Sequence, residues 1–452
     1  MSQSQSDDLG IKPIKKLLVQ QAVPASIGIL ILSIYGIVDT IFVGRWVGSM
    51  GIAAITVVMP ITFFIASIGM SIGVGGASII SRAFGSGSRS KAQLTFGNQV
   101  TLTILLALVV VILGSFFQEE VLRLFGGKGK ILEPAKIYFQ ILLLGVPFLA
   151  WAMMFNNVMR AEGQPKVAMY TLVTPAVANI ILDPIFIVGF DMGIAGAAWA
   201  TTLSYMASAS YAIWYFLSGK SELSFKLSSF RLQSPIVKEI FAIGIVTFSR
   251  QGAISLLSIV LNNALFSYGG ELSVSVYGII NRVMMFANFP VLGLTQGFVP
   301  IAGYNYGAKK WDRVKKTIYT SISAGTGIAL IIFTGLMLFT TQLICIFTSE
   351  ADLIQQTIPA FRTIFLATPL LAVQLICSAY FQAIGKAVPA LFLALTKQGF
   401  CLIPLLLILP NILGLEGIWW AFPIADILSA SICFGYLRYE MNRNLLREKV
   451  LV

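Results

Sequence analysis

Some twenty residues at a time, and repeatedly, this chain runs on with almost no charge. No water is present in hydrocarbon to satisfy peptide N–H and C=O groups, so such runs must bond internally, as helices. Each run matches the ~20 residues that cross ~30 Å of hydrocarbon. Composition agrees: of 452 residues 57% are hydrophobic and 11% charged, with a mean hydropathy of +0.85. The chain reads as an all-α polytopic membrane protein. Twelve transmembrane spans are expected, at 17–44, 51–81, 94–117, 136–159, 167–189, 193–218, 237–268, 273–302, 317–347, 357–383, 388–412 and 416–438.

A formal charge of +12 in a soluble chain would suggest nucleic acid. Here the basic residues cluster between apolar runs, where they report topology instead, and no nucleic-acid partner is expected. With the N-terminus inside, the cytoplasmic segments hold 22 Lys and Arg and the outer segments five: Arg45, Arg123, Lys128, Lys130 and Lys136. Basic residues stay on the cytoplasmic side, so both termini are expected there, in a multi-pass protein of the inner or plasma membrane. The opening segment MSQSQSDDLGIKPIKKLL carries no cleavable signal pattern, and the first span is expected to insert uncleaved. The chain has no histidine, which excludes His-based metal sites, bases and proton relays. The cysteines Cys345, Cys377, Cys401 and Cys433 lack CxxC spacing and read as packing residues. No GxxxxGK[ST] loop and no nucleophile–base arrangement stands out, so neither an ATP-driven pump nor an enzyme is expected.

The chain also repeats itself. GIAGAAWA (193–200) returns as GLEGIWWA (414–421), RAEGQPK (160–166) loosely around FQAIGKA (381–387), and GSRSKA (87–92) as GAKKWD (307–312). The displacement is nearly the same in all three places, which chance matches would not produce. Six spans per repeat return the chain to its starting side, which makes the halves parallel repeats about a pseudo-two-fold axis along the membrane normal. The expected organisation is an N-lobe over 1–218, a cytoplasmic linker over 219–236 and a C-lobe over 237–452. Two six-helix lobes of this kind suit a transporter.

An Asp at the centre of a membrane helix costs about 2.5–3.5 kcal/mol on insertion scales, so such residues usually serve a purpose. Three acids fall well inside spans: Asp39, Asp183 and Asp426. At 1.5 Å per residue, Asp39, Asp183 and Thr201 each lie roughly 8–12 Å below the outer surface. Asn179 shares a helix face with Asp183, four residues on. Pro184 has no N–H and leaves the carbonyl of Ile180 without its usual donor. Two carboxylates, an amide and a hydroxyl make an all-oxygen set, which suits a hard cation such as Na+, or a proton. The competing reading is that Asn179 and Thr201 merely satisfy a buried aspartate that fixes helix packing.

Other polar and apolar features are less specific. Pro24, in VQQAVPASIG, frees the carbonyl of Gln20 and allows a bend in the first span, functional or ordinary. Arg250 and Lys397 lie inside spans and could pair with Asp426, meet an anionic group or snorkel to the cytoplasmic face; snorkelling is the expectation for Lys397. Met153 in WAMMF and Met284 in MMFANF could line a greasy substrate cavity, together with Arg250 and Asp426.

With VDTIFVGRWVG (38–48), RAEGQPK, NIILDP, GIAGAAWAT and FPIAD (422–426) in this order and spacing, the chain resembles the multidrug and toxic compound extrusion (MATE) transporters over essentially its whole length. The resemblance implies two six-helix lobes in a V shape. It also implies export of drugs and other organic, often cationic, compounds against an inward flow of H+ or Na+, with no other cofactor. By the same resemblance Asp39, Asn179, Asp183 and Thr201 carry a cation site in the first lobe, with Asn156 a further polar member. NorM-like relatives carry acids in the seventh and tenth spans; this chain has Ser249, Arg250 and Gln251 in the seventh and no acid in the tenth. That departure points to the DinF-like branch.

The expectation is therefore a monomeric secondary antiporter, with a small organic substrate and membrane lipid as its partners. A cation at Asp39 and Asp183 would rearrange the first helix and rock the lobes. The alternative is a flippase for a lipid-linked saccharide or lipid, which would need several basic residues around its cavity. An ion channel or receptor is disfavoured, because channels present rings of like residues from symmetric subunits.

Overall fold

The computed structural model describes residues 5–445, and every regular element among them is helical. In chain order the membrane helices are α1 (Ile14–Phe42), α2 (Ser49–Gly85), α3 (Arg89–Phe116), α4 (Leu132–Ala161), α5 (Pro165–Asp183) and α6 (Gly193–Leu217). The stretch Ser234–Gly307 is helical throughout except at Gly270, whose φ of 65° and ψ of −162° break it into α7 (234–269) and α8 (271–307). Then come α9 (Trp311–Leu338) and α10, whose parts Ala351–Phe365 and Leu371–Ala383 are joined by a 3₁₀ turn. α11 starts at Ala387–Leu395, and α12 is Leu415–Glu440. Among the described residues ten helices are long and apolar enough to cross a membrane, counting α7 and α8 as one. The remaining helix, α6, is rich in Ala, Ser and Thr and is not among those ten.

The repeat is written into individual hydrogen bonds. After α2, Ser86 N–H donates to Arg82 O, Gly87 N–H to Phe84 O and Ser88 N–H to Ala83 O. The same three bonds recur from Ala308 to Tyr304, Lys309 to Tyr306 and Lys310 to Asn305. After α4, Glu162, Gly163 and Gln164 donate to Val158, Arg160 and Met159, and Ile384, Gly385 and Lys386 donate to Tyr380, Gln382 and Phe381. Gly163 and Gly385, at φ 80° and 82°, supply the left-handed residue that such helix ends require. One register pairs Ser86 with Ala308 and Gly163 with Gly385, but Gly193 pairs with Gly414, which is one position short of it. The second copy is therefore one residue shorter between these corners, a stretch in which α5 and α11 both widen into π-helical turns, at Pro184–Gly189 and Thr396–Leu402.

The chain forms two compact units, which trade helix starts. Among the described residues, one holds those up to Ile11 with Ile27–Gly244, the other Lys12–Ser26 with those from Ile245 on. Lipid supplies no hydrophobic drive between helices, so small residues that allow backbone approach do the joining. In the second unit the Gly293-x-x-x-Gly297 face of α8 receives the start of α1. A Cβ on Gly293 would stand 2.7 Å from Ser26 N, and one on Gly297 2.9 Å from Ala22 N. In the first unit α2 receives the start of α7, with Gly75 against Ile240 O and Gly244 against Ser71 O. Compactness thus divides the chain elsewhere than at the boundaries 1–218 and 237–452, because a helix start follows the glycines it packs on.

The segment 219–236 is bound to the first unit rather than spanning freely. Gln93 Nε2 donates to Ser224 O at 2.6 Å, Gln233 N–H to Asn98 Oδ1 at 2.7 Å and Thr101 Oγ1 to Phe230 O at 2.8 Å. Buried Glu162, at the end of α4, accepts from Ser221 Oγ at 2.6 Å, Leu223 N at 3.0 Å and Tyr215 Oη at 3.2 Å.

Candidate cation site

Asp39 on α1 and Asp183 on α5 each stand just before a departure from α-helical geometry. α1 continues into a π-helical turn at Val43–Val47 and α5 into one at Pro184–Gly189. The second has an evident cause: Pro184 cannot donate, so the ladder widens at that residue. The two wide turns pack on each other and on α6. That packing brings the two carboxylates together, with the Thr201 hydroxyl beside Asn179.

All four polar side chains are buried: Asp39 is 8% exposed, Thr201 3%, and Asn179 and Asp183 0%. Asn179 Nδ2 donates to Thr201 Oγ1 over 3.4 Å. Asp39 and Asp183 come within hydrogen-bonding reach of each other. Yet Asp39 Oδ1, Asn179 Oδ1 and both carboxylate oxygens of Asp183 receive no hydrogen bond of good geometry among the described residues. Buried polar atoms are almost always partnered, and breaking a buried charge pair costs about 3–5 kcal/mol. Four such acceptors, with Asn179 within hydrogen-bonding range of Asp183, make a set that could hold a proton or a small cation. A proton shared between the carboxylates satisfies the pair; a small hard cation satisfies the set, since every donor atom is oxygen.

Three tyrosines close around the acids, and sequence reasoning did not include them. Tyr35 on α1, Tyr138 on α4 and Tyr205 on α6 all lie within electrostatic range of Asp39, and Tyr138 hydrogen-bonds Thr201. Tyr35 precedes Asp39 by four residues and Tyr205 follows Thr201 by four, so a one-turn search along each face would have found both. Tyr138 sits on a helix with no other site residue and left no signal.

Asn156 does not join this group. Its Nδ2 donates to Ala168 O at 2.6 Å and to Thr171 Oγ1 at 2.8 Å, and its Oδ1 accepts from Arg160 Nε at 3.1 Å. Thr171 is eight residues, or ~12 Å of helix, before Asn179. The reason is topological: α4 and α5 are joined by a tight turn beside Asn156, so its amide closes that corner. In the second unit Ser378, which the corner register pairs with Asn156, reaches Ala390 O through its Oγ.

The remaining candidates are dispersed. Pro24 is buried within α1, which continues through it, and the change of unit falls two residues later. Met153 is half-buried, its carbonyl oxygen 3.2 Å from where a Cβ on Gly73 would stand. Met284 packs on the apolar cluster of the second unit. Arg250 is half-buried and does not partner Asp426. Lys397 does: its ammonium forms an ion pair with the Asp426 carboxylate. The expected snorkelling is overturned, because a carboxylate one helix away is a nearer partner than water.

Comparison with known proteins places this architecture. The MatE family profile matches residues 24–185 and 250–408. The multidrug export protein MepA of Staphylococcus aureus strain MSSA476 is 29% identical over 418 residues, covering 92% of each chain. The protein of the same name from Staphylococcus saprophyticus is 30% identical over 417 residues, covering 92% of this chain and 91% of its own. Among solved structures, the MATE multidrug transporter DinF-BH is 38% identical, with a TM-score of 0.89 over 98% of this chain and 99% of that one. An outward-facing multidrug resistance MATE family transporter of the MOP superfamily is 26% identical, with a TM-score of 0.93 over 99% of this chain and 100% of that one. The repeated helical bundles, the extent of the match and the likeness to DinF-BH establish that this chain belongs to the MATE family, whose members are membrane transporters and not enzymes.

Proposed function

We propose that the protein is a secondary antiporter of the inner or plasma membrane, working as a monomer with both termini in the cytoplasm. It exports organic, often cationic, compounds in exchange for inward H+ or Na+. The observation that carries this reading is the set of buried oxygens at Asp39, Asn179 and Asp183 that receive no hydrogen bond of good geometry among the described residues. A cation arriving from outside binds there, with Thr201 completing the set. Such binding moves a conformational equilibrium only by as much as it favours one state over the other. The orphaned acceptors are the source of that preference: a state in which they meet the cation gains what an empty state lacks. One cation entering down 100 mV supplies about 2.3 kcal/mol before any concentration gradient.

The test is export of ethidium from liposomes containing the purified protein, with a pH gradient and a Na+ gradient imposed separately. Export under one gradient identifies the coupling ion. Export under neither sinks the antiport reading and favours lipid or lipid-linked saccharide flipping, which the same liposomes would report with a labelled lipid.

A further inference from the structure

The ion pair between Lys397 and Asp426 has no part in the cation site of the first unit. Asp426 lies eleven residues into α12 and Lys397 ten residues into α11, so each is about 15 Å from its helix end. Both sit near the middle of their spans, where charge is most expensive. A buried pair seldom improves on apolar side chains of similar volume, so its presence at this depth argues for use. The pair is not sealed: the lysine and aspartate side chains are 16% and 12% exposed.

Its surroundings have the chemistry of a receptor for a flat cation. Gln398, next to the lysine, has a buried Oε1 with no hydrogen-bond partner among the described residues. Phe422 lies one turn from Asp426 on the same face of α12, and the ring of Tyr277 stands 5.9 Å from it. Met284, two turns along α8 from Tyr277, packs on the same cluster. Aromatic faces attract cations, and thioethers adapt to varied shapes. Lys397 itself rides on the π-helical turn Thr396–Leu402, a geometry frequent at functional sites.

We propose that Lys397 and Asp426 form a binding site for organic cations in the second unit, in which the lysine ammonium holds the carboxylate until the cationic centre of the ligand displaces it. The choice of ligand class rests on the export reading above; the exchange of one positive charge for another does not. Because the lysine is a tethered competitor, its strength as a partner sets the affinity for the ligand. A guanidinium grips a carboxylate bidentately and should compete better; a methionine cannot compete at all.

The experiment uses the full chain in lipid nanodiscs, with equilibrium binding of ethidium and, as an uncharged control, Nile red. Ethidium should bind about tenfold more weakly to Lys397→Arg and about tenfold more tightly to Lys397→Met, while Asp426→Asn loses most of its binding. Nile red should bind all of them alike. Ethidium affinities within twofold of the parent in Lys397→Arg and Asp426→Asn would overturn the proposal and leave the pair as a staple between α11 and α12. Lys397→Arg keeps the ion pair, so it decides the matter even if Lys397→Met fails to fold. Gradient-driven efflux from liposomes is measured on the same preparations. Parent protein that exports, with variants that bind unchanged, removes only the ionic site; parent protein that binds without exporting removes only the antiport reading.

Discussion

The two units share a backbone plan to the level of single hydrogen bonds, and they fill its centre in opposite ways. The register of Gly163 and Gly385 pairs Asp39 with Leu261, Asn179 with Cys401 and Asp183 with Leu405; that of Gly193 and Gly414 pairs Thr201 with Phe422. Leu261, Cys401 and Phe422 are buried members of one apolar cluster, and Leu405 packs against it. The first unit therefore holds unsatisfied oxygens where the second holds apolar side chains. The corners recur in both because glycine and helix-end geometry leave few alternatives. The side chains between them are free to differ, and the oxygen-lined pocket stands in one copy only.

The largest expected contrast is between Asp39→Asn and Leu261→Asn. Asp39→Asn should cut gradient-driven export by at least tenfold while the protein still folds, as it removes charge from the pocket and little else. Leu261→Asn should leave the coupling intact and cost about 2 kcal/mol or more of stability, since it puts an unsatisfied amide in an apolar core. Efflux and thermal melting of the two variants would break the comparison if both behaved alike.

Gly75 and Gly297, which the corner register also pairs, should by contrast behave as equals. A leucine at either would meet backbone, at 2.3 Å from Ile240 O or 2.9 Å from Ala22 N. Each substitution should cost about 3 kcal/mol through overpacking and sharply lower the yield of folded protein. Gly278, with nothing within 4 Å of its added Cβ, is the matched control and should accept alanine at little cost.

A smaller asymmetry lies at the end of α4, where Glu162 corresponds to Ile384. Burial pushes the Glu162 carboxyl up from 4.5 to about 7, against the opposing effect of its hydrogen bonds from Ser221 and Leu223. The folded state thus holds this proton more tightly than the unfolded one. The contribution favours folding fully below pH ~4.5 and is lost as pH rises through about 7. Relative to Glu162→Gln, the wild type should lose up to about 3 kcal/mol across that window. A flat difference between the two melting curves from pH 5 to 8 would contradict it. The smallest effect concerns the turn after α8, where Lys309 takes the left-handed conformation (φ 56°) that Gly87 takes after α2. Lys309→Gly should stabilise by about 1 kcal/mol, visible as a small rise in melting temperature.

What could be read in the sequence follows from cost. The spans were legible because a backbone in hydrocarbon must be helical, and the repeat because Gly163, Gly193, Gly385 and Gly414 mark corners that other residues resist. Asp39, Asp183, Asn179 and Thr201 were legible because polar atoms at that depth demand a reason. Partners across helices were not, since they depend on how each helix is turned: Tyr138 against Thr201, and Lys397 against Asp426. Asn156 entered by resemblance alone, and its hydrogen bonds place it elsewhere. The traded helix starts are not legible even with Gly293-x-x-x-Gly297 in the sequence, because a small-residue face does not say which helix will use it.

That trade has a bearing on how the molecule is made. The start of α1 leaves the ribosome early, but the glycines it docks on, Gly293 and Gly297, emerge only after more than half of the chain has been made. At ~5–20 residues per second, synthesis leaves that helix end waiting on the order of tens of seconds. During that interval Gln21, buried in the finished protein, must be sheltered by lipid headgroups or by the insertion machinery. A truncated first half would keep its own polar pocket and never receive the cover for its opening helix.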